Sequence, residues 1–292
     1  MNNSTRSILA APHQPPVRRH AAQLTIFNFQ FAIFNPERTP VHRLNARTKS
    51  RNSHPLLNCL SLAALLSVFL AVFSTQGAEQ VLFNGKDLTG WHKPTGEWKA
   101  VGAVSLSSED SKQFDAAPGT GVLVNNPKGK TVNLISEFEH GDVEAHVEFV
   151  VPKNSNSGMY FQGRYEIQIL DSWGVKEPKY GDCGGVYASC SEPKPDLKGR
   201  PPSTNASKPP GEWQTFDVLF RASRFDANGK KIENAKFVKV THNGQVVHEN
   251  VEVLRPTCAA RWLDEKATGP LMLQGDHGPV AYRNIRLKPV EL

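Results

Sequence analysis

The sequence predicts an all-β protein, a sandwich of two packed antiparallel sheets. Three observations carry that expectation: short runs alternating apolar and polar residues, clusters of Gly, Pro, Asn and Asp between them, and no stretch with apolar residues at helical spacing over three turns. A parallel α/β sheet would need helices between its strands, so some ten short strands joined by turns fit two antiparallel layers better.

The clearest strand is 143–151, where Val143, Ala145, Val147, Phe149 and Val151 point one way and Glu144, His146 and Glu148 the other. Similar runs occur at 121–124, 159–161, 165–170, 213–220, 237–241, 246–251, 271–274 and 280–287. Asn243-Gly244 lies between two of them and marks a tight hairpin, since both residues tolerate positive φ. From 191 to 211 the chain carries six prolines among Ser, Lys and Asn, the composition of a long surface loop that could cover a site.

Charge divides the chain in two. The first 78 residues hold eight Lys or Arg against one acid, which leaves 26 basic and 27 acidic residues of the 34 and 28 in the whole chain. Residues 56–73 are almost wholly apolar, preceded by Arg47, Lys49 and Arg51 and followed by small residues, the order of a secretory signal. An uncleaved membrane anchor is the competing reading. The expected organisation is an N-terminal extension with signal over 1–78 and one β-sandwich domain over 79–292, exported to the periplasm or the medium. Neither nucleic acid nor stable membrane insertion after cleavage is expected of a near-neutral mature chain. Three cysteines then remain, Cys183, Cys190 and Cys258. One pair can bridge in an oxidising compartment, with Cys183 and Cys190 nearest in sequence, and the spacings match no zinc site.

Chemistry concentrates in three places. In 165–170, Tyr165, Ile167 and Ile169 face the core, which aligns Arg164, Glu166 and Gln168 on the opposite face; Asp171 joins that row only through a bulge or a strand end. Gln274, Asp276 and His277 occupy a glycine-flanked turn shortly before Arg283. Glu144, His146 and Glu148 form a third row. Were these strands neighbours, carboxylates, imidazole, amide and guanidinium would share one polar face suited to hydroxyl-rich ligands, with Trp98 or Trp173 able to stack on a sugar ring. An Arg and Glu row on a strand is also a common solvated face, and an Asp and His in a turn often only brace it.

The order Phe83-Asn84-Gly85-Lys86-Asp87-Leu88-Thr89-Gly90-Trp91, Gly141-Asp142-Val143-Glu144, Asn156-Ser157-Gly158, Tyr165-Glu166-Ile167-Gln168-Ile169-Leu170-Asp171, Gly211-Glu212-Trp213, Asn243-Gly244 and Leu273-Gln274-Gly275-Asp276-His277-Gly278 resembles the bacterial 3-keto-disaccharide hydrolase domain family. Each motif is weak alone; their order along nearly the whole mature chain is specific. The resemblance implies a concanavalin-like jelly roll that cleaves glycosides already oxidised at sugar C3. Gln162, Gln214 and Tyr282 depart from the family pattern, which has Arg, Asn and Phe there.

A C3 ketone acidifies the C2 proton, so a base can form an enolate and expel the C1 substituent, after which water adds back. Glu166 and His277 are the expected acid and base, with Glu148 as a further catalytic candidate. Arg164, Gln168, Asp171, Gln274, Arg283 and His146 are the expected substrate-binding residues. A divalent metal on His and carboxylates would stabilise the enolate equally well, and nothing in the spacing marks one. The expected partner is a glycoside or oligosaccharide. Two alternatives stand beside this reading: a retaining glycosidase of laminarinase-like type, for which Glu166, Gln168 and Asp171 hold the spacing but not the residues, and a carbohydrate-binding module without catalysis.

Overall fold

The computed structural model describes residues 77–126, 128–190 and 198–292; the apolar run 56–73 with the rest of the expected targeting segment, and 191–197 of the proline-rich loop, lie outside the described residues. In chain order the strands are β1 (Gln80–Val81), β2 (Lys99–Leu106), β3 (Phe114–Val124), β4 (Leu134–His140), β5 (Val143–Val150), β6 (Asn156–Phe161) and β7 (Tyr165–Leu170). They continue with β8 (Gln214–Arg221), β9 (Arg224–Phe225), β10 (Lys231–Glu233), β11 (Ala235–His242), β12 (Gln245–Val253), β13 (Gly269–Leu273) and β14 (Ala281–Pro289). An eight-stranded antiparallel sheet runs β12-β11-β8-β5-β14-β3-β2 with β1 paired to β14, and a four-stranded antiparallel sheet runs β4-β13-β6-β7. Two sheets of this kind make the expected sandwich of jelly-roll type.

Alternation decides the faces. In β5, Val143, Ala145, Val147 and Phe149 are buried, while Glu144 is exposed and His146 and Glu148 half-buried. The largest buried side chains are mainly aromatic: Phe161 of the small sheet stacks on Phe220 of the large one at 5.0 Å between ring centres, and Phe149 stacks on Phe216 at 4.8 Å. Offset rings contribute about 0.5–1.5 kcal/mol per pair beyond the area they bury. The Asn243-Gly244 hairpin joins β11 to β12 with φ of 49° and 78°, as the dipeptide predicted.

Besides the short β1, β9 and β10, two longer strands had no apolar alternation to announce them. In β4 the buried positions are Leu134, Ser136 and His140, so polar residues replace hydrocarbon on the core side. Burial lowers the pKa of His140 to about 4 and keeps it neutral. Its Nδ1 donates to the Gly141 carbonyl at 2.9 Å, and its Nε2 accepts from the Gln162 amide at 3.2 Å. β2 has Gly102 at its centre and half-buried residues over most of its length.

The three departures from the family pattern have local partners. Gln162 sits in the β6–β7 turn at φ 54°, its side-chain amide donating to the carbonyls of His140 and Ala267, and it does not line the pocket described below. Gln214 Oε1 gathers Lys208 N, His242 Nε2 and Asn243 Nδ2. The Tyr282 hydroxyl meets Ser157 Oγ at 3.0 Å.

Cysteine pairing departs from sequence proximity. Cys190 bridges Cys258 across 68 residues, and Cys183 is a buried free thiol. Cys183 packs inside the sandwich core, which removes it from the loops where the other two meet.

Val147→Asp places an unpaired charge in this core and is expected to cost about 4 kcal/mol, whereas His146→Ala loses a half-exposed pair with Asp217 and costs under about 1 kcal/mol. Urea denaturation of both variants checks the assignment of faces; equal losses would refute it.

Candidate functional site

The β6–β7 hairpin generates the site. Tyr160 pairs with Glu166, Gly158 with Gln168, and on the other side of β6 Tyr160 pairs with Met272 of β13. Side chains at paired positions share a face, so Tyr160, Glu166 and Gln168 stand together on the side away from the core. Gln274 follows β13 directly and donates its backbone N–H to Gly158 O at 2.9 Å. A pocket of about 200 Å³ opens over this face, walled by these four side chains with Asn156, Tyr187, His277 and the Cys258–Ala259 stretch.

Glu166 is almost fully buried, with 3% of its surface exposed. A methyl group at Gly158 would fall 2.1 Å from Glu166 Oε1, so the carboxyl lies flat against strand backbone where only glycine fits. Burial pushes its pKa up to about 8, against some opposition from the neighbouring Tyr160 hydroxyl. Burial, then the nearby Glu166 carboxyl, holds the Tyr160 phenol far above its ordinary value, so it remains a proton donor. Its oxygen accepts from Gln274 Nε2 at 3.4 Å and lies 3.5 Å from the Cys258 carbonyl. Gln168 Nε2 donates to Asn156 Oδ1 at 3.1 Å. Across the pocket, His277 Nδ1 meets Asp276 Oδ1 at 2.6 Å, with both side chains about half exposed. That contact leaves His277 Nε2 for a ligand.

Two loops form the rim. Gly184 to Tyr187 runs along β7, with Gln168 N donating to Gly185 O at 2.8 Å and Tyr187 N to Glu166 O at 3.2 Å. The second loop is tied down by Thr257 N to Arg164 O at 2.8 Å and Cys258 N to Ala188 O at 2.8 Å. The Cys190–Cys258 bridge joins the two loops where Cys258 meets the pocket.

The structure brings Glu166, Gln168, Gln274 and His277 together and places the other expected residues elsewhere. Glu148, His146 and Arg283 belong to the eight-stranded sheet and face outward on the far side of the sandwich, because β5 and β7 lie in different sheets with the core between them. There Glu148 binds Arg283 at 2.6 Å and His146 binds Asp217 at 2.6 Å. Partial burial raises the Glu148 pKa, but Asn284 and Arg283 outweigh it and hold the carboxyl below its usual range. Arg164 is buried, anchors the second loop through the Asp264 carboxylate and donates to Gln162 O of its own turn. Asp171 lies just past the end of β7, where it accepts from the backbone N–H groups of Asn154 and Trp173 and braces a turn. Trp98 is buried with its indole donating to Val132 O, and the exposed Trp173 does not line the pocket. The described part of the proline-rich loop pairs Arg200 with Val186 and does not line the pocket either. Among the described residues no three His, Cys, Asp or Glu side chains gather as a metal-binding set.

Tyr160, Tyr187 and Asn156 were not anticipated. Tyr160 had a signal, since counting back from the Gln162-Gly163 turn sets it opposite Glu166. Tyr187 comes from a loop without strand pattern and had none.

Comparison places these features among known proteins. The profile of the 3-keto-alpha-glucoside-1,2-lyase-like domain matches residues 78–288. A crystal structure of a candidate glycosyl hydrolase from Parabacteroides distasonis ATCC 8503 is 26% identical, with TM-score 0.52, covering 73% of this chain and 84% of that one. A second from the same organism is 20% identical, with TM-score 0.46, covering 73% and 100%. A carbohydrate-binding module from Bacillus subtilis, CBM66, is 10% identical with TM-score 0.33, covering 70% and 96%. No curated protein matches in sequence.

A carboxyl ionising near 8 when folded against 4.5 when free contributes stability that is complete below pH 4.5 and is lost as pH rises toward 8. Glu166→Gln removes that cost and is expected to stabilise the fold at neutral pH by on the order of 3 kcal/mol, with the gap closing in acid. Thermal melts across pH check this; no gain near pH 8 would mean a solvated carboxyl. Replacing both Cys190 and Cys258 with Ser opens a closure of 68 residues. This is expected to cost about 4 kcal/mol in a denaturant titration.

Proposed function

Because the chain belongs to the 3-keto-alpha-glucoside-1,2-lyase-like domain family, we propose that it cleaves 3-keto-glycosides by elimination across C1 and C2 followed by hydration. The observation that carries this reading is Glu166, a buried carboxyl with its pKa raised to about 8, facing His277 across a pocket the size of one sugar ring. Abstraction of a proton from carbon needs a strong base held out of water, and burial makes carboxylate Glu166 such a base.

In this scheme Glu166 takes the C2 proton, and the electron pair of the broken C–H bond moves onto the C3 oxygen as an enolate. The Tyr160 hydroxyl and the amides of Gln274 and Gln168 are the donors on that face for the developing charge. The enolate collapses, re-forming the C3 carbonyl and a C1–C2 double bond while the C1–oxygen bond breaks. His277 supplies the proton that the departing oxygen gains, and Asp276 balances the imidazolium. Water then adds at C1, giving its proton to His277, and Glu166 returns a proton to C2. The Cys190–Cys258 bridge favours an oxidising compartment, which supports export directed by residues 56–73.

The test compares a glucoside with its 3-keto derivative in deuterated water. The 3-keto substrate should be cleaved with deuterium entering C2, and the plain glucoside should stay intact. Cleavage of the plain glucoside without exchange would favour a retaining glycosidase, and binding without cleavage a carbohydrate-binding module. Glu166→Gln and His277→Ala should each lower kcat/KM at least about 10²-fold. Since the base must be ionised, kcat/KM for a 3-keto-glucoside of a strongly acidic phenol, whose departure needs no proton from His277, should climb toward pH 8 and level off above it. A rate independent of pH between 6 and 8 would remove Glu166 from the base role.

A further inference from the structure

We propose that the cleft continues past His277 into a subsite for a hydroxylated aromatic aglycone, an inference that rests on the function proposed above. A second cavity of about 610 Å³ lies over β13 and β4. It occupies the same sheet face as the Glu166 pocket, because Met272 pairs with Tyr160 on one side and with Ile135 on the other. Neighbouring residues wall the two cavities. Asp276 lines the larger one and is bonded to His277, which lines the smaller. The loop that gives Cys258 and Ala259 to the smaller gives Arg261 and Trp262 to the larger.

The position follows from the chemistry. His277 hands its proton to the departing oxygen, so the C1 substituent leaves on the His277 side, toward Asp276 and the larger cavity.

The lining selects the class of group. The smaller pocket is walled mainly by amides, hydroxyls and a carboxyl; the larger presents a carbon surface of Trp262, Ile135, Pro94 and Pro270 beside polar groups that include Glu139, Asp276, Lys93 and Asn133. Those hydroxyls of a second sugar ring that fell against Ile135, Pro94 and Pro270 would lack partners there. A flat aromatic ring buries carbon on carbon and stacks on indole, and its phenolic hydroxyls reach the carboxylates at the margin. Trp262 is braced for stacking, since the Arg164 guanidinium sits 5.4 Å from its ring centre.

The experiment measures kcat/KM for a phenolic 3-keto-glucoside and for a 3-keto-disaccharide, both anomers of each, in the wild type, in Trp262→Ala and in Ile135→Ser. The second variant leaves the braced indole in place should the first fail to fold, and melting temperatures are recorded for both. The expected result is at least a tenfold loss on the phenolic substrate in each folded variant, expressed mainly in KM, with the disaccharide changed less than threefold. Equal losses on both substrates, or a larger loss on the disaccharide, would overturn the proposal. If neither substrate is cleaved, the proposed reaction fails independently, and calorimetric titration with 4-hydroxybenzyl alcohol decides the subsite. Binding that weakens at least fivefold in either folded variant supports it, and binding that is absent or unchanged overturns it.

Discussion

Pairing of Tyr160 with Glu166 and of Gly158 with Gln168 in the β6–β7 hairpin sets a carboxyl group over bare strand backbone with a loop above it. The rest of the site depends on that burial. Water would bring Glu166 back to an ordinary carboxylate, and an alanine at Gly158 would force the group out of its place. Rigid strands fix its position, so the loops have only to roof the pocket and supply Tyr187 and His277 around it.

Roofing a pocket with loops is costly, because loop backbone needs partners and an ordered loop loses entropy. Here the requirement is met by a chain of attachments beginning at β7. Val186 and Tyr187 follow that strand, Cys190 ties their segment to Cys258, and Thr257 returns to Arg164. Arg164 then reaches Asp264 further along the same loop. A guanidinium that sequence suggested for ligand binding thus serves the roof, which explains its burial beside an indole.

Strand parity was legible in the sequence, and with it the buried faces of β5 and β7 and the hairpin at Asn243-Gly244. The polar row of β7 was legible too, including Glu166 and Gln168, and so was the turn holding His277. What alternation could not tell was which sheet each strand joins. Glu148 and His146 have the same outward parity as Glu166, yet they face the opposite side of the sandwich, because the assignment to sheets is set by contacts distant in sequence. β4 was hidden for a different reason, since Ser136 and His140 stand where hydrocarbon normally marks a core face. The bridge from Cys190 to Cys258 likewise joins loops that only the folded topology brings near.

Imidazoles packed among the aromatic rings carry a consequence for the protein's endurance in acid. Burial lowers the pKa values of His140 and His242 to about 4, so each favours the folded state fully above 6.5 and progressively less as acidity grows. His140 sits edge-on to Phe161 and Phe220, the stack that joins the two sheets, and His242 lies against Phe149 and Phe216 on the inner face of the large one. Acidification would therefore loosen the sandwich from its centre. The stability of the fold is thereby tied to the buffering of its surroundings.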